Sequence, residues 1–140
     1  METIGYHYTD GGRKQAGIKD DRDCTVRALS IFFDIDYAHA HKVCAKFGRK
    51  NKRGFSSEKF KKAIKSIIRQ TQKNAVQVAR KGSVQKIIKK YCDNNLLILL
   101  HDHAFAVKNG IIMDSWKPSI NCHVKHAWII KDLYVLDYAI

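Results

Sequence analysis

The chain has a single proline, Pro118, among its 140 residues, and no apolar run near the roughly 18 residues a membrane-spanning helix needs. The run Leu96 to Leu100 has only the length of a buried strand. No secretory signal opens the chain, and it carries no internal repeat and no low-complexity tract. These absences lead us to expect a soluble, cytoplasmic protein of one domain, large enough to bury a core without disulfide support. Its four cysteines are therefore expected as reduced thiols, with Cys44 and Cys92 buried on apolar helix positions. Cys-x-x-Cys spacing is absent as well, so the ligand types His101, His103, Cys122, His123 and His126 make only a weak zinc signal, and neither a metal nor another cofactor is expected.

Acidic residues are scarce where basic ones are dense. Between Arg49 and Lys90 there are 15 Lys and Arg against one acid, Glu58, so this segment carries +14 while the whole chain carries +13. Such a field suits an acidic partner, either a protein or peptide or a nucleic acid, and it equally suits a solvated helix face. The docking face expected from it comprises Arg49, Lys50, Lys52 and Arg53 in a loop with Lys59, Lys61, Lys62 and Lys65 on one helix, separate from the candidate catalytic residues.

The order of patterns indicates an α+β fold, with N-terminal helices packed on one side of a C-terminal antiparallel sheet. Residues 1–48 read as a Gly-rich and Tyr-rich arm followed by two helices, one after a cap at Asp23 and one from Asp36 or Tyr37 to Phe47. Residues 49–95 hold the basic loop, a helix capped by Ser56-Ser57 with Phe60, Ile64, Ile67 and Ile68 at helical spacing, a short strand near Val76 to Val78, and a helix after Gly82-Ser83. Residues 96–140 read as strands: Leu96 to His101, His103 to Lys108, Ile111 to Ser115, Val124 to Ile130 and Leu133 to Leu136.

Two features point to chemistry. Cys24 falls in the first turn of an amphipathic helix, where free backbone N–H groups and the helix dipole favour a thiolate. Far downstream, Asn109-Gly110 is a strong signal for a two-residue type I′ turn, which would pair Lys108 with Ile111 and Phe105 with Asp114. His103 is then the diagonal neighbour of Asp114 on the same face, within reach of an imidazole–carboxylate hydrogen bond. Cys24, His103 and Asp114 form a candidate nucleophile, base and orienting group. His101 shares the face of His103 and is the rival base, but it would pair beyond the strand end near Pro118. Arg27, one turn after Cys24, could favour the thiolate, bind an acidic substrate group, or pair with Asp23 or Asp20. Trp116 and Phe105 could line a substrate groove or belong to the core.

A cysteine opening a buried helix, followed by a sheet carrying histidine and then aspartate, resembles the papain-like cysteine peptidases. More closely, Gly12-Arg13, Ala16-Gly17, Asp23-Cys24 and Arg27-Ala28, with His103, Ala106-Val107, Gly110 and Asp114, resemble a group of small phage and prophage proteins. The resemblance covers both ends of the chain and leaves out the basic middle. It implies the papain-like fold and the site but no substrate; the function we expect is a papain-like cysteine hydrolase, acting as a peptidase, isopeptidase or related acyl transferase on a host target in the host cytoplasm. The alternative is a catalytically weak protein on the same scaffold whose basic face binds and inhibits a host protein or nucleic acid. Papain-like enzymes place an oxyanion-binding glutamine five or six residues before the cysteine. Here those positions hold Lys19 and Ile18, so Lys19, or Gln15 across a loop, is the substitute to expect.

Overall fold

The computed structural model describes residues 4–131. Its elements run β1 (Gly5–Tyr8), α1 (Cys24–Phe33), α2 (Tyr37–Lys46), α3 (Ser57–Thr71), β2 (Asn74–Ala79), α4 (Val84–Lys90), β3 (Leu96–Leu99), β4 (Ala104–Lys108), β5 (Ile111–Asp114) and β6 (His126–Lys131). The strands form one six-stranded mixed sheet in the order β1-β5-β4-β3-β6-β2, and the fold is α+β.

Local chemistry accounts for the helix boundaries that matter. The Ser56 hydroxyl accepts from the Lys59 N–H at 3.3 Å, Glu58 lies in the first turn of α3 and Arg69 in its last, so both ends complement the dipole. At the start of α1 the arrangement differs from a simple cap. The Asp23 side chain makes no capping bond and is engaged in ion pairs instead.

Helices cover both faces of the sheet, which corrects the expected one-sided packing. One core cluster joins α1, α2 and α3 to Leu97, Leu99, Ala104, Ala106 and Trp128. A second joins Val84, Ile87 and Ile88 of α4 to Leu96, Ile98, Phe105, Val107 and Ile112. Successive residues of β3 thus point into different cores, and all four are buried. A strand that is apolar on both faces needs cover on both, and α4 provides the second layer.

The sheet is also not purely C-terminal. The arm before Cys24 contributes β1, which pairs in parallel with β5, Tyr6 opposite Ile112 and Tyr8 opposite Asp114. β2, from the basic middle, closes the other edge against β6. The expected strand at Leu133 to Leu136 lies outside the described residues. Cys92 is exposed rather than buried, because α4 ends at Lys90 and the thiol falls in the following turn. Cys44 is fully buried in α2.

Candidate functional site

The hairpin of β4 and β5 has the register expected from its turn. Lys108 pairs with Ile111, Val107 with Ile112 and Ala106 with Met113. Asn109 and Gly110 both have positive φ, 51° and 75°, as a type I′ turn requires. The residue just before β4, His103, therefore comes alongside the last residue of β5, Asp114. His103 Nε2 donates to Asp114 Oδ2 at 2.6 Å, and both side chains are buried. The strand β1 holds the carboxylate's backbone from outside, since the Tyr6 hydroxyl and the Thr9 N–H both donate to the Asp114 carbonyl, at 3.1 and 2.9 Å.

α1 packs on β4 and brings Cys24 to the same end of the sheet. Cys24 and His103 line the same two clefts, and the His103 ring and the Ala104 N–H are near enough to the thiol to act on its ionisation. Because Nε2 faces Asp114, the remaining ring nitrogen, Nδ1, is the one available to sulfur. Burial by itself would push the thiol up. The His103 hydrogen bond and charge, the Ala104 N–H and the Arg27 guanidinium outweigh it and leave Cys24 below its ordinary value of 9.0. Burial would likewise depress His103, but its hydrogen bonds to Asp114 and Cys24 and the charges of both raise it from 6.5 to about 9. Both shifts run in the same sense, toward thiolate on Cys24 and imidazolium on His103.

Two aromatic rings flank the imidazole. Trp116 stacks on it with centroids 4.2 Å apart and remains about half exposed, at 51%. Phe105 lies 5.8 Å from it on the core side and is buried. Trp116 thus screens the ring from solvent while presenting its other face to a cleft.

Arg27 does not point into solvent for an acidic ligand. It is buried, pairs with Asp23 through Nη1, and reaches Asp114 Oδ1 with Nη2 at 3.3 Å. Asp23 in turn accepts from Arg13 at 3.1 Å and from the Tyr37 hydroxyl at 2.7 Å. The sequence reading offered the Arg27–Asp23 pair as one alternative but not its links to Asp114, Arg13 and Tyr37, which make a buried network that locks the first turn of α1 to the end of β5. Asp23 next to Cys24 and Arg27 four residues later was the available signal, since that spacing places both side chains on one helix face.

Clefts open on both sides of the thiol. One of about 520 Å³ is lined by Arg13, Arg22, Cys24, His103 and Trp116 among others. The other, about 410 Å³, is lined by Cys24, Thr25, Ser56, Ser57, His101 and Lys125 among others. Neither includes Lys19 or Gln15. Lys19 is exposed, and Gln15 lines a separate hollow with Gly11, Gly12 and Tyr37. The two expected oxyanion substitutes are thus not at the thiol, because the chain from Gly11 to Gly17 turns away through successive tight turns. The donors that are there are the backbone N–H groups of the first turn of α1, which have no intrahelical acceptor. His101 is exposed and borders the second cleft.

Of the expected docking residues, Arg49 is not on the surface. Its guanidinium is 1% exposed and grips both oxygens of Asp20, at 2.8 and 3.2 Å. Asp20 also accepts from the Lys52 backbone N–H at 2.6 Å and bonds His41 at 3.0 Å. A buried carboxylate beside an arginine explains the correction, since neither charge survives burial alone. Lys50, Lys52, Arg53, Lys59, Lys62 and Lys65 are exposed, and Lys61 is partly buried. Pinning to Asp20 also brings the loop beside the segment leading into Cys24, so the basic residues there are not remote from the thiol. Gly54 lines both thiol clefts, and Lys52 and Arg53 share a hollow with Arg22.

Among the described residues no group of three or more His, Cys, Asp or Glu is placed to hold a metal ion. Cys122 and His123 are exposed, while the His126 ring accepts from Gln77 at 2.7 Å. No helix among the described residues is long and apolar enough to cross a membrane. A scan of protein-family models finds no matching family, and searches of curated proteins and of solved structures return no significant match.

Proposed function

We propose that the protein is a cysteine hydrolase of papain-like type, acting on an amide, isopeptide or thioester bond of a host target. The observation that carries this reading is the His103 ring, hydrogen-bonded to the Asp114 carboxylate and lining the same two clefts as the Cys24 thiol. Cys24 as thiolate adds to the carbonyl carbon, and the carbonyl oxygen takes up the displaced electron pair. The N–H groups at the start of α1 stabilise that oxyanion. Collapse expels the leaving group, which takes the proton from imidazolium His103 and leaves an acyl thioester on Cys24. Water then attacks the thioester with His103 as base, releasing the acid and restoring the thiol. Asp114 fixes the ring orientation and favours its charged form, and Arg27 positions Asp114.

The test is site-selective alkylation. Iodoacetamide at pH 7, followed by peptide mapping, should modify Cys24 ahead of the more exposed Cys92 and Cys122, and His103→Ala should remove that preference. Equal modification of the three thiols would defeat the reading. Exposed Lys59, Lys62 and Lys65 along α3 favour a second reading, a catalytically weak protein whose basic face binds and inhibits a host protein or nucleic acid. That reading requires binding that falls steeply with salt and survives Cys24→Ala.

A further inference from the structure

The basic segment meets the Cys24 cleft at one place. A hollow of about 600 Å³ is lined by Asp21, Arg22, Lys52, Arg53 and Gly54. Three of these, Asp21, Arg22 and Gly54, also line the cleft that holds Cys24, His103 and Trp116. The two cavities are therefore contiguous, and a chain lying across the thiol would extend into the hollow.

The charges there are unspent. No salt bridge among the described residues engages Arg22, Lys52 or Arg53, whereas the neighbouring Arg13, Arg27 and Arg49 are all paired with Asp23, Asp114 or Asp20. Three cations without a salt bridge among the described residues thus share the hollow with one carboxylate, Asp21. Their placement is fixed rather than incidental. Asp20 holds Arg49 and the Lys52 N–H together, and Arg49 Nη2 also donates to the carbonyls of Asp21 and Arg22, each at 3.4 Å. One buried ion pair thereby ties the two cation-bearing segments to each other. Arg22 and Lys52 both adopt positive φ, 51° and 64°, a conformation costly for residues with a Cβ that the surrounding bonds hold in place.

We infer that the hollow formed by Arg22, Lys52 and Arg53 is a substrate subsite for an acidic side chain, so that the hydrolase acts on polypeptides carrying Asp or Glu close to the scissile bond. The inference rests on the hydrolase reading and names its substrate class. A peptide is favoured over a nucleic acid because the cations border a thiol–imidazole pair suited to acyl chemistry.

Matched tripeptidyl chloromethyl ketones carrying Glu or Gln at each position in turn provide the test, with the rate of Cys24 alkylation read by mass spectrometry. At one position the Glu probe should react about fivefold faster than the Gln probe, as expected for partly exposed charge pairs. The ratio should fall with added salt. It should drop to one or below in Lys52→Glu/Arg53→Glu, while Lys89→Glu, which alters charge on α4, leaves it unchanged. A ratio near one at every position, with Cys24 still alkylated by the Gln probes, overturns the subsite and spares the hydrolase reading. Should Cys24 fail to react at all, calorimetric binding of the unreactive Glu and Gln peptides to Cys24→Ala decides the subsite by itself. A preference for Glu lost in the charge-reversed variant upholds it, and equal binding overturns it. A thymidine oligonucleotide that binds through Lys52 and Arg53 when the peptides show no preference would assign the hollow to nucleic acid instead.

Discussion

Cys24 and Cys44 lie on consecutive helices and both are largely withdrawn from water, yet their thiols are driven in opposite directions. Burial pushes Cys44 up to about 12, against only a partial pull from Arg49, whose charge is engaged by Asp20. The same burial acts on Cys24 and is overcome by His103, the Ala104 N–H and Arg27, leaving it below its ordinary value. Removal from water therefore does not make a thiol inert. What it does is magnify whichever neighbours remain, so a thiol in the apolar core is silenced while one at a helix start near an imidazole is favoured as thiolate.

Exchanging the two sites' fates is the largest expected effect. Cys24→Ala should abolish hydrolysis and iodoacetamide labelling at pH 7, whereas Cys44→Ala should keep both and lose about 1 kcal/mol in urea unfolding, as for a small core truncation. Labelling of Cys44 in the native protein as fast as Cys24 would break the comparison.

Removing the neighbours should come next. His103→Ala is expected to lower hydrolysis about 10²- to 10⁴-fold, the range for loss of a general base, with His101→Ala close to the parent. Equal losses from both histidines would point away from the His103–Asp114 pair and toward a shared role of the two rings. Asp114→Ala strips partners from two buried cations and should cost about 3–5 kcal/mol of stability, measured by urea unfolding. It should also slow Cys24 labelling. Asp114→Asn, which still accepts the ring N–H, should lose less of both.

The smallest effect, and the sharpest on mechanism, is in pH. His103 is raised from 6.5 to about 9, so the stability its pairing gives is fully present below about 6.5 and is lost as pH rises through about 9. Cys24 is lowered from 9.0, so its contribution is fully present above that value and is lost as pH falls through the lowered one. Hydrolysis should therefore fall above about pH 9 as the acid for the leaving group disappears, while alkylation of Cys24 continues. Parallel profiles for the two reactions would show that His103 does not donate the proton.

Much of this geometry was legible in the residues. Asn109-Gly110 determined the register of its hairpin, because a two-residue turn with two positive φ values leaves one way to pair the flanking strands. That register in turn put His103 beside Asp114. The four helices were visible from periodicity and caps, since Ser56 and Ser83 both cap as expected. β1 was not visible, because Gly5 to Tyr8 is short and polar and is a strand only by pairing with β5. The second helical layer was overlooked although Leu96 to Leu100 announced it, a strand apolar on both faces needing two cores. Asp20 and Arg49 are 29 residues apart, and nothing local in either marks the other as its partner.

The sequence by itself determined the four helices, the hairpin register and the chemical identities of thiol, imidazole and carboxylate, because these depend on turns, caps and periodicities a few residues long. Only the tertiary structure decided which arginines are spent and which are free. Arg13, Arg27 and Arg49 are consumed by buried carboxylates, while no salt bridge among the described residues engages Arg22, Lys52 or Arg53, which line the hollow beside the cleft. A charge's role depends on what lies within a few ångströms of it once distant segments have packed, and that distance is written nowhere along the chain.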